Sequence, residues 1–213
     1  MSLSRWRKLS FLLFLAAAAI VALSPGPGIF YVAARTLADG RSVGLASSLG
    51  TGLGGLVHVA AGAIGVSALI LASAEAFTFL KLAGAVYLVW LGIKTAREAR
   101  LDIVAAARGA SVGRAFRDGI FVEALNPKTA AFFLAFLPQF VDPAHGAVWL
   151  QFFVLGLTSV FLNTAVDVVV VFMAARARSA ALTRPTLLRR LRVAAGTAIT
   201  GLGLSLLFAR RPA

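Results

Sequence analysis

Four ionisable side chains lie inside long apolar stretches of this 213-residue chain: His58, Glu123, Lys128 and Asp167, with Lys81 close to the end of another. A charge at the centre of a bilayer costs about 2.5–3.5 kcal/mol even on a lenient scale, so each of these groups needs a partner, water or a function. Asp167 shares one helical face with Gly156, Ser159 and Asn163, at steps of three and four residues. It suits a substrate ammonium or a coupling proton, or else a structural ion pair. Lys128 follows a proline directly and would either hold a substrate carboxylate or neutralise Asp167 or Glu123. Imidazole titrates close to physiological pH, so His58 suits a proton carrier. The plainer reading makes His58 a neutral ring hydrogen-bonded across a tight helix contact.

The elements that must position these groups are interrupted. Ser24-Pro25-Gly26-Pro27 falls in the middle of the first apolar stretch, and Asn126-Pro127-Lys128 in the middle of a later one. Proline has no N–H, and its ring clashes with the carbonyl one turn back, so a helix breaks or bends there. Non-helical backbone at membrane depth survives only where it is buried in protein or lines a wet cavity. The two breaks share the pattern Ala-Leu-polar-Pro, and Pro25 and Pro127 are offset by 102 residues. Paired interruptions in two halves of a chain point to a transporter's binding site. Half-helix N-termini favour a carboxylate, while freed carbonyls and an aspartate favour an ammonium. The candidate substrate-binding residues are therefore Ser24, Pro25, Gly26, Pro27, Asn126, Pro127, Lys128, Asn163 and Asp167, with Asp167 and His58 as proton-coupling candidates.

Composition fixes the class. The chain is 60% hydrophobic and 14% charged, with mean hydropathy +0.90, against about 45–50% apolar and about 25% charged in soluble domains. This is an all-α, polytopic membrane protein. Its net charge of +13 sits mainly in loops between apolar runs, which argues for membrane orientation and against nucleic acid. There is no cysteine, which excludes disulfides and thiolate metal sites, and no phosphate loop for ATP hydrolysis. Arg5, Arg7 and Lys8 ahead of Phe11–Leu23 resemble a signal peptide, but Ser24-Pro25-Gly26-Pro27 is a poor cleavage site and apolar residues resume through Ala34.

Six spans are expected, at 11–34, 44–72, 77–96, 116–140, 148–174 and 190–209. The 102-residue offset also matches Phe14 with Phe116, Phe30 with Phe132, Gly44 with Gly146 and Gly54 with Gly156. Three helices per half is an odd number, so the halves are expected to be inverted repeats, about 1–105 and 106–213, of a single transport domain. In the second span Ala46, Gly50, Gly54, His58 and Gly62 form a small-residue face for close helix contact. Alternate loops hold 14 basic residues, the opposite side 5, or 6 with Lys81, so both termini are expected outside.

These pieces resemble the LysE/RhtB amino-acid exporters. The similarity runs through Pro25-Gly26-Pro27, the glycine-spaced second span, Lys81-x-x-Gly84-x-x-Tyr87-Leu88-x-x-Leu91-Gly92, Phe116-Arg117-x-Gly119 leading to Asn126-Pro127-Lys128, and Phe132-Phe133 running to Leu137-Pro138-Gln139-Phe140-Val141. The resemblance implies a small inner-membrane secondary exporter of amino acids, driven by an ion gradient, with no cofactor. Members often carry an acid in the second helix, where this chain has Gly55, which leaves Asp167 and His58 as the titratable candidates. The substrate is expected to be a neutral amino acid such as homoserine, threonine or leucine, because a second cationic group would need its own buried carboxylate. The coupling ion is expected to be a proton; a homo-oligomer is left open. A cation or metal exporter is the alternative, disfavoured by the absence of cysteine and the scarcity of intramembrane acids. An enzyme is a third reading, and no nucleophile–base pair supports it.

Overall fold

The computed structural model describes residues 3–72 and 110–177, with isolated helical positions between 75 and 93 and between 193 and 204. Most of the expected third and sixth spans, Lys81, and most of the 97–115 and 175–189 connections lie outside the described residues. Among the described residues the chain is helical, without strands.

The first apolar stretch is two helices. α1 (Leu3–Leu23) and α2 (Pro27–Asp39) meet at a 46° bend. Pro25 and Pro27 withhold the N–H groups that Val21 and Leu23 carbonyls would receive one turn on. Pro27 then occupies the first turn of α2, where its missing donor costs nothing and its fixed φ suits a helix. The connection expected at 35–43 shrinks to one residue: α2 closes on Gly40, at φ 94°, and α3 (Arg41–Ala72) starts immediately after it. Only glycine takes that left-handed conformation without strain, which lets the chain reverse on a single residue.

The later interruption has the same plan. α4 (Val112–Ala124) is capped at its start by Ser111 Oγ, which accepts from the Arg114 N–H at 3.3 Å. It gives way at Leu125-Asn126 to α5 (Pro127–Ala131), and the two parts of the span are bent by 40°. Beyond α5 the coil loosens into a π turn over Phe132–Phe136 and tightens into a 3₁₀ turn over Leu137–Phe140. After a short 3₁₀ turn, Pro143–His145, the chain enters α6 (Val148–Ala177). α3 and α6 are each long and apolar enough to cross a membrane, and each bent pair forms a further span of that kind.

α3 is the spine, lying against α4 on one side and α6 on another. Gly50 and Gly54 sit on the α4 backbone at Phe116 O and Ile120 O, and Gly119 answers them at Ser47 O, so that a Cβ at any of the three would collide. This is the expected small-residue face, with one difference: Gly62 meets the Phe152 ring of α6 instead. Steps of four residues overshoot a 3.6-residue turn by about 40° each, so over three steps the stripe rotates from one neighbour to the other. The core is aromatic where the π turn packs: Phe14, Phe132, Phe133 and Phe152 are buried, with rings of Phe133 and Phe152 centred 6.1 Å apart. Leu23 and Leu125, equivalent in the 102-residue register, are exposed on the outer surface, as lipid-facing positions would be.

Candidate functional site

The two breaks lie against each other. Lys128, from the second, reaches into the first, where its Nζ donates to Val21 O and Ser24 O, each at 3.0 Å. Val21 O is the carbonyl that Pro25 deprives of its donor, and the end of α1 carries the negative end of a helix dipole, so an ammonium there is doubly favoured. The Lys128 stem runs over Gly26, whose absent side chain leaves 3.2 Å between a would-be Cβ and Lys128 Cδ. Among the described residues Lys128 makes no ion pair with a carboxylate. Of the roles open to it in the sequence, neutralising Asp167 or Glu123 by direct contact is not the one this geometry displays.

Glu123 is the equivalent of Val21 at the end of α4, and its carbonyl is the one that Pro127 strands. His58 Nε2 lies 2.9 Å from Glu123 O. A carbonyl only accepts, so that nitrogen carries the proton. The His58 ring also lies near that of Phe133, tilted by 39° with ring centres 5.8 Å apart. His58 thus makes the hydrogen-bonded helix contact of the plainer reading, and a proton on Nε2 is common to the neutral and the charged ring.

The Glu123 side chain turns the other way, toward the start of α2. Oε2 lies against Gly28, so close that a Cβ there would strike it. Oε2 accepts from Asn126 Nδ2 at 2.9 Å and Oε1 from Thr129 Oγ1 at 2.6 Å. Asn126 works both ways: its Oδ1 caps the Lys128 N–H at 3.0 Å. Of the two half-helix starts offered in the sequence as carboxylate sites, that of α5 is capped by Asn126, and that of α2 has the Glu123 carboxylate lying against Gly28 without a side-chain cap. Ser24 is buried and its hydroxyl bonds back to Ile20 O at 2.6 Å.

Between the breaks, α3 and α6 lies a cavity of about 20 Å³, room for about one water molecule. Its polar lining is Thr51, Glu123, Thr129, Ser159 and Asn163. Phe132, Phe133 and Val160 form an apolar wall, and Gly55 lies opposite Val160. Asn163 and Ser159 thus sit where their helical face was expected to put them. Asp167 lies farther along that face and does not line the cavity. It is fully buried; Oδ2 accepts from Thr51 Oγ1 at 2.8 Å, and Oδ1 has no hydrogen-bond partner. Ser48 Oγ, one turn from Thr51 on α3, is likewise buried and without a partner.

Thr51, Thr129 and the cavity-facing role of Glu123 were missed in the sequence. Thr129 had a weak local signal, three residues after the Asn126 cap. Thr51 had none, being one hydroxyl in a glycine-rich helix.

One end of the assembly is tied by charge. Arg35 at the end of α2 reaches Asp39 and, on α4, Asp118, each at 3.5 Å, and Tyr31 donates to Ala115 O at 2.8 Å. The far halves of the broken spans are thus joined at the face that holds Gly40 and the start of α4.

Residues 19–210 match the family model of the LysE type translocator. The homoserine/homoserine lactone efflux protein of Salmonella typhimurium is 36% identical over 156 residues, covering 72% of this chain and 74% of that protein. The leucine efflux protein of Klebsiella pneumoniae is 31% identical over 156 residues, covering 70% of this chain and 72% of that protein. No solved structure matches the chain. A helical membrane protein with paired proline breaks, matched over nearly its whole length by that model, belongs to the LysE type translocators.

Proposed function

We propose that this protein is a secondary exporter of amino acids across the inner membrane, driven by a proton gradient, with neutral amino acids preferred over lysine and arginine. The observation that carries this reading is the cavity at the meeting point of two proline breaks in a LysE type translocator. The names of the Salmonella and Klebsiella relatives, homoserine/homoserine lactone and leucine efflux proteins, support the substrate class. Polar groups on one wall and Phe132 and Phe133 on another suit a zwitterion with a small or apolar side chain. An amino acid is larger than the cavity, so transport requires the elements around it to separate. Ser24 to Pro27 and Asn126 to Lys128 form the frame that would move, and Asn163 faces the substrate.

Asp167 is the proposed coupling group. It is buried beside the cavity, touches it through Thr51, and has one oxygen free of hydrogen bonds. The proposed architecture is two inverted three-helix repeats in one transport domain, both termini outside. It is supported by the equivalent bends of 46° and 40° and by the basic-residue asymmetry.

The test is efflux of labelled leucine, threonine, homoserine and arginine from loaded cells, expressed per molecule of protein. Leucine, threonine or homoserine is expected to leave faster than arginine; the reverse order overturns the neutral preference. Asp167→Asn is expected to abolish gradient-driven efflux while the protein remains abundant, and normal flux in that variant removes Asp167 from the coupling role.

A further inference from the structure

One charged side chain lines the cavity among the described residues, and it is Glu123. Its carboxylate is 1% exposed and makes no ion pair within the described part of the chain. The nearby ammonium of Lys128 is committed to Val21 O and Ser24 O. Glu123 is held from two sides: Asn126 Nδ2 on Oε2 and Thr129 Oγ1 on Oε1, at 2.9 and 2.6 Å. Asn126 cannot turn its amide round without losing the cap on the Lys128 N–H. An ionised carboxylate accepts about four hydrogen bonds, and the protein supplies two of them here. The rest of the cavity's polar lining, Thr51, Thr129, Ser159 and Asn163, is uncharged.

We infer that Glu123 receives the ammonium group of the substrate and makes the site selective for amines over hydroxy acids of the same shape. This rests on the exporter reading above and names the recognition group within it. The selectivity follows from desolvation. An analogue that brings a hydroxyl in place of an ammonium leaves a buried carboxylate without a countercharge, which a site of this kind rejects strongly. Lys128 is then a tie between the breaks, and Asp167 is left free for coupling.

The test uses the purified full chain in proteoliposomes, with leucine and 2-hydroxy-4-methylpentanoate as paired substrates. Wild type is expected to prefer leucine in kcat/KM by on the order of 10–100-fold, the worth of one charge-assisted hydrogen bond. Glu123→Gln is expected to bring that ratio close to one, chiefly through a raised KM for leucine. A variant that keeps the wild-type ratio, or a wild type that shows no preference, overturns the Glu123 assignment and leaves the exporter reading standing. A wild type that moves neither compound nor any other amino acid overturns both. If Glu123→Gln does not accumulate, Thr129→Val is read in its place. It keeps the shape but withdraws the donor on Oε1, so a lowered ratio supports the assignment and an unchanged one overturns it.

Discussion

The two breaks solve one problem with unequal means. At each, a proline strands the carbonyl four residues before it, Val21 O or Glu123 O. At each, the backbone tightens so that Ser24 N or Asn126 N reaches the same carbonyl, at 3.2 and 2.9 Å. A side-chain nitrogen from elsewhere in the chain completes the cap: Lys128 for the first, His58 for the second. The difference lies in charge. Break one contributes no charged group of its own, whereas break two contributes both Glu123 and Lys128, one to each facing half-helix end. Break one is followed by a regular helix, and break two by the five-residue α5 and then a π turn packed with phenylalanines. Equivalent positions have thus divided the labour: the first break is held, and the second does the holding.

The largest effect should come from cutting that dependence. Lys128→Met takes the ammonium from Ser24 O and leaves Val21 O with the Ser24 N–H alone. A buried carbonyl left unsatisfied costs about 1–3 kcal/mol, and a bond to a charged group is worth about as much. A loss of roughly 3 kcal/mol in stability is expected in detergent-solubilised protein, read by thermal unfolding. Adding Asp167→Asn should not restore it, because the lysine holds carbonyls and not that carboxylate. Recovery in the double variant would show that the breaks are joined through an ion pair after all.

Next in size is the glycine contrast within break one. Gly28→Ala drives a methyl into a carboxylate fixed by two hydrogen bonds and should cost about 2 kcal/mol, within the usual range for overpacking. Gly26→Ala meets the end of the Lys128 side chain at the looser distances of 3.2–3.3 Å and should cost clearly less. Equal melting temperatures for the two variants would break the claim that the Glu123 contact is the tighter of the two.

Smaller again is the comparison of Asn126 with Ser24, the matched polar residues before each proline. Asn126→Ala removes a helix cap and a bond to Glu123, for about 1–2 kcal/mol. Ser24→Ala removes one bond back to Ile20 O within its own helix, for about 0.5 kcal/mol. A reversal of that order would mean that break one, not break two, organises the site. Replacing His58 by Gln, which can still donate to Glu123 O, should stay within about 1 kcal/mol of wild type and keep transport. Loss of efflux in His58→Gln with unchanged stability would assign the histidine to proton coupling.

What the sequence determined by itself was local or statistical. Proline withholds a donor wherever it stands, so the interruptions at Pro25 and Pro127 and their 102-residue relation were legible before any fold was known. Composition made the chain a membrane protein, the glycine spacing announced a close helix contact, and the quoted motifs reached the family. The face of Ser159 and Asn163 was legible too, because helical periodicity fixes which residues of one helix look the same way.

Tertiary structure decided everything that depends on which helix stands beside which. The stranded carbonyls could be foreseen, but not that Lys128 would cap one and His58 the other, since those nitrogens lie 107 and 65 residues away in the chain. In the sequence Glu123 was one of the two acids that Lys128 could neutralise. The bend between Ala124 and Pro127 instead sends the lysine to the end of α1, and the carboxylate lies beside Gly28 and on the cavity wall. Asp167 meets Thr51 where α3 packs on α6, with Gly52 of α3 against Thr164 and Gly55 against Val160. Spacing along a chain sets the phase of a helix, but the partner of a buried charge is set by packing between helices, and that is not written in the spacing.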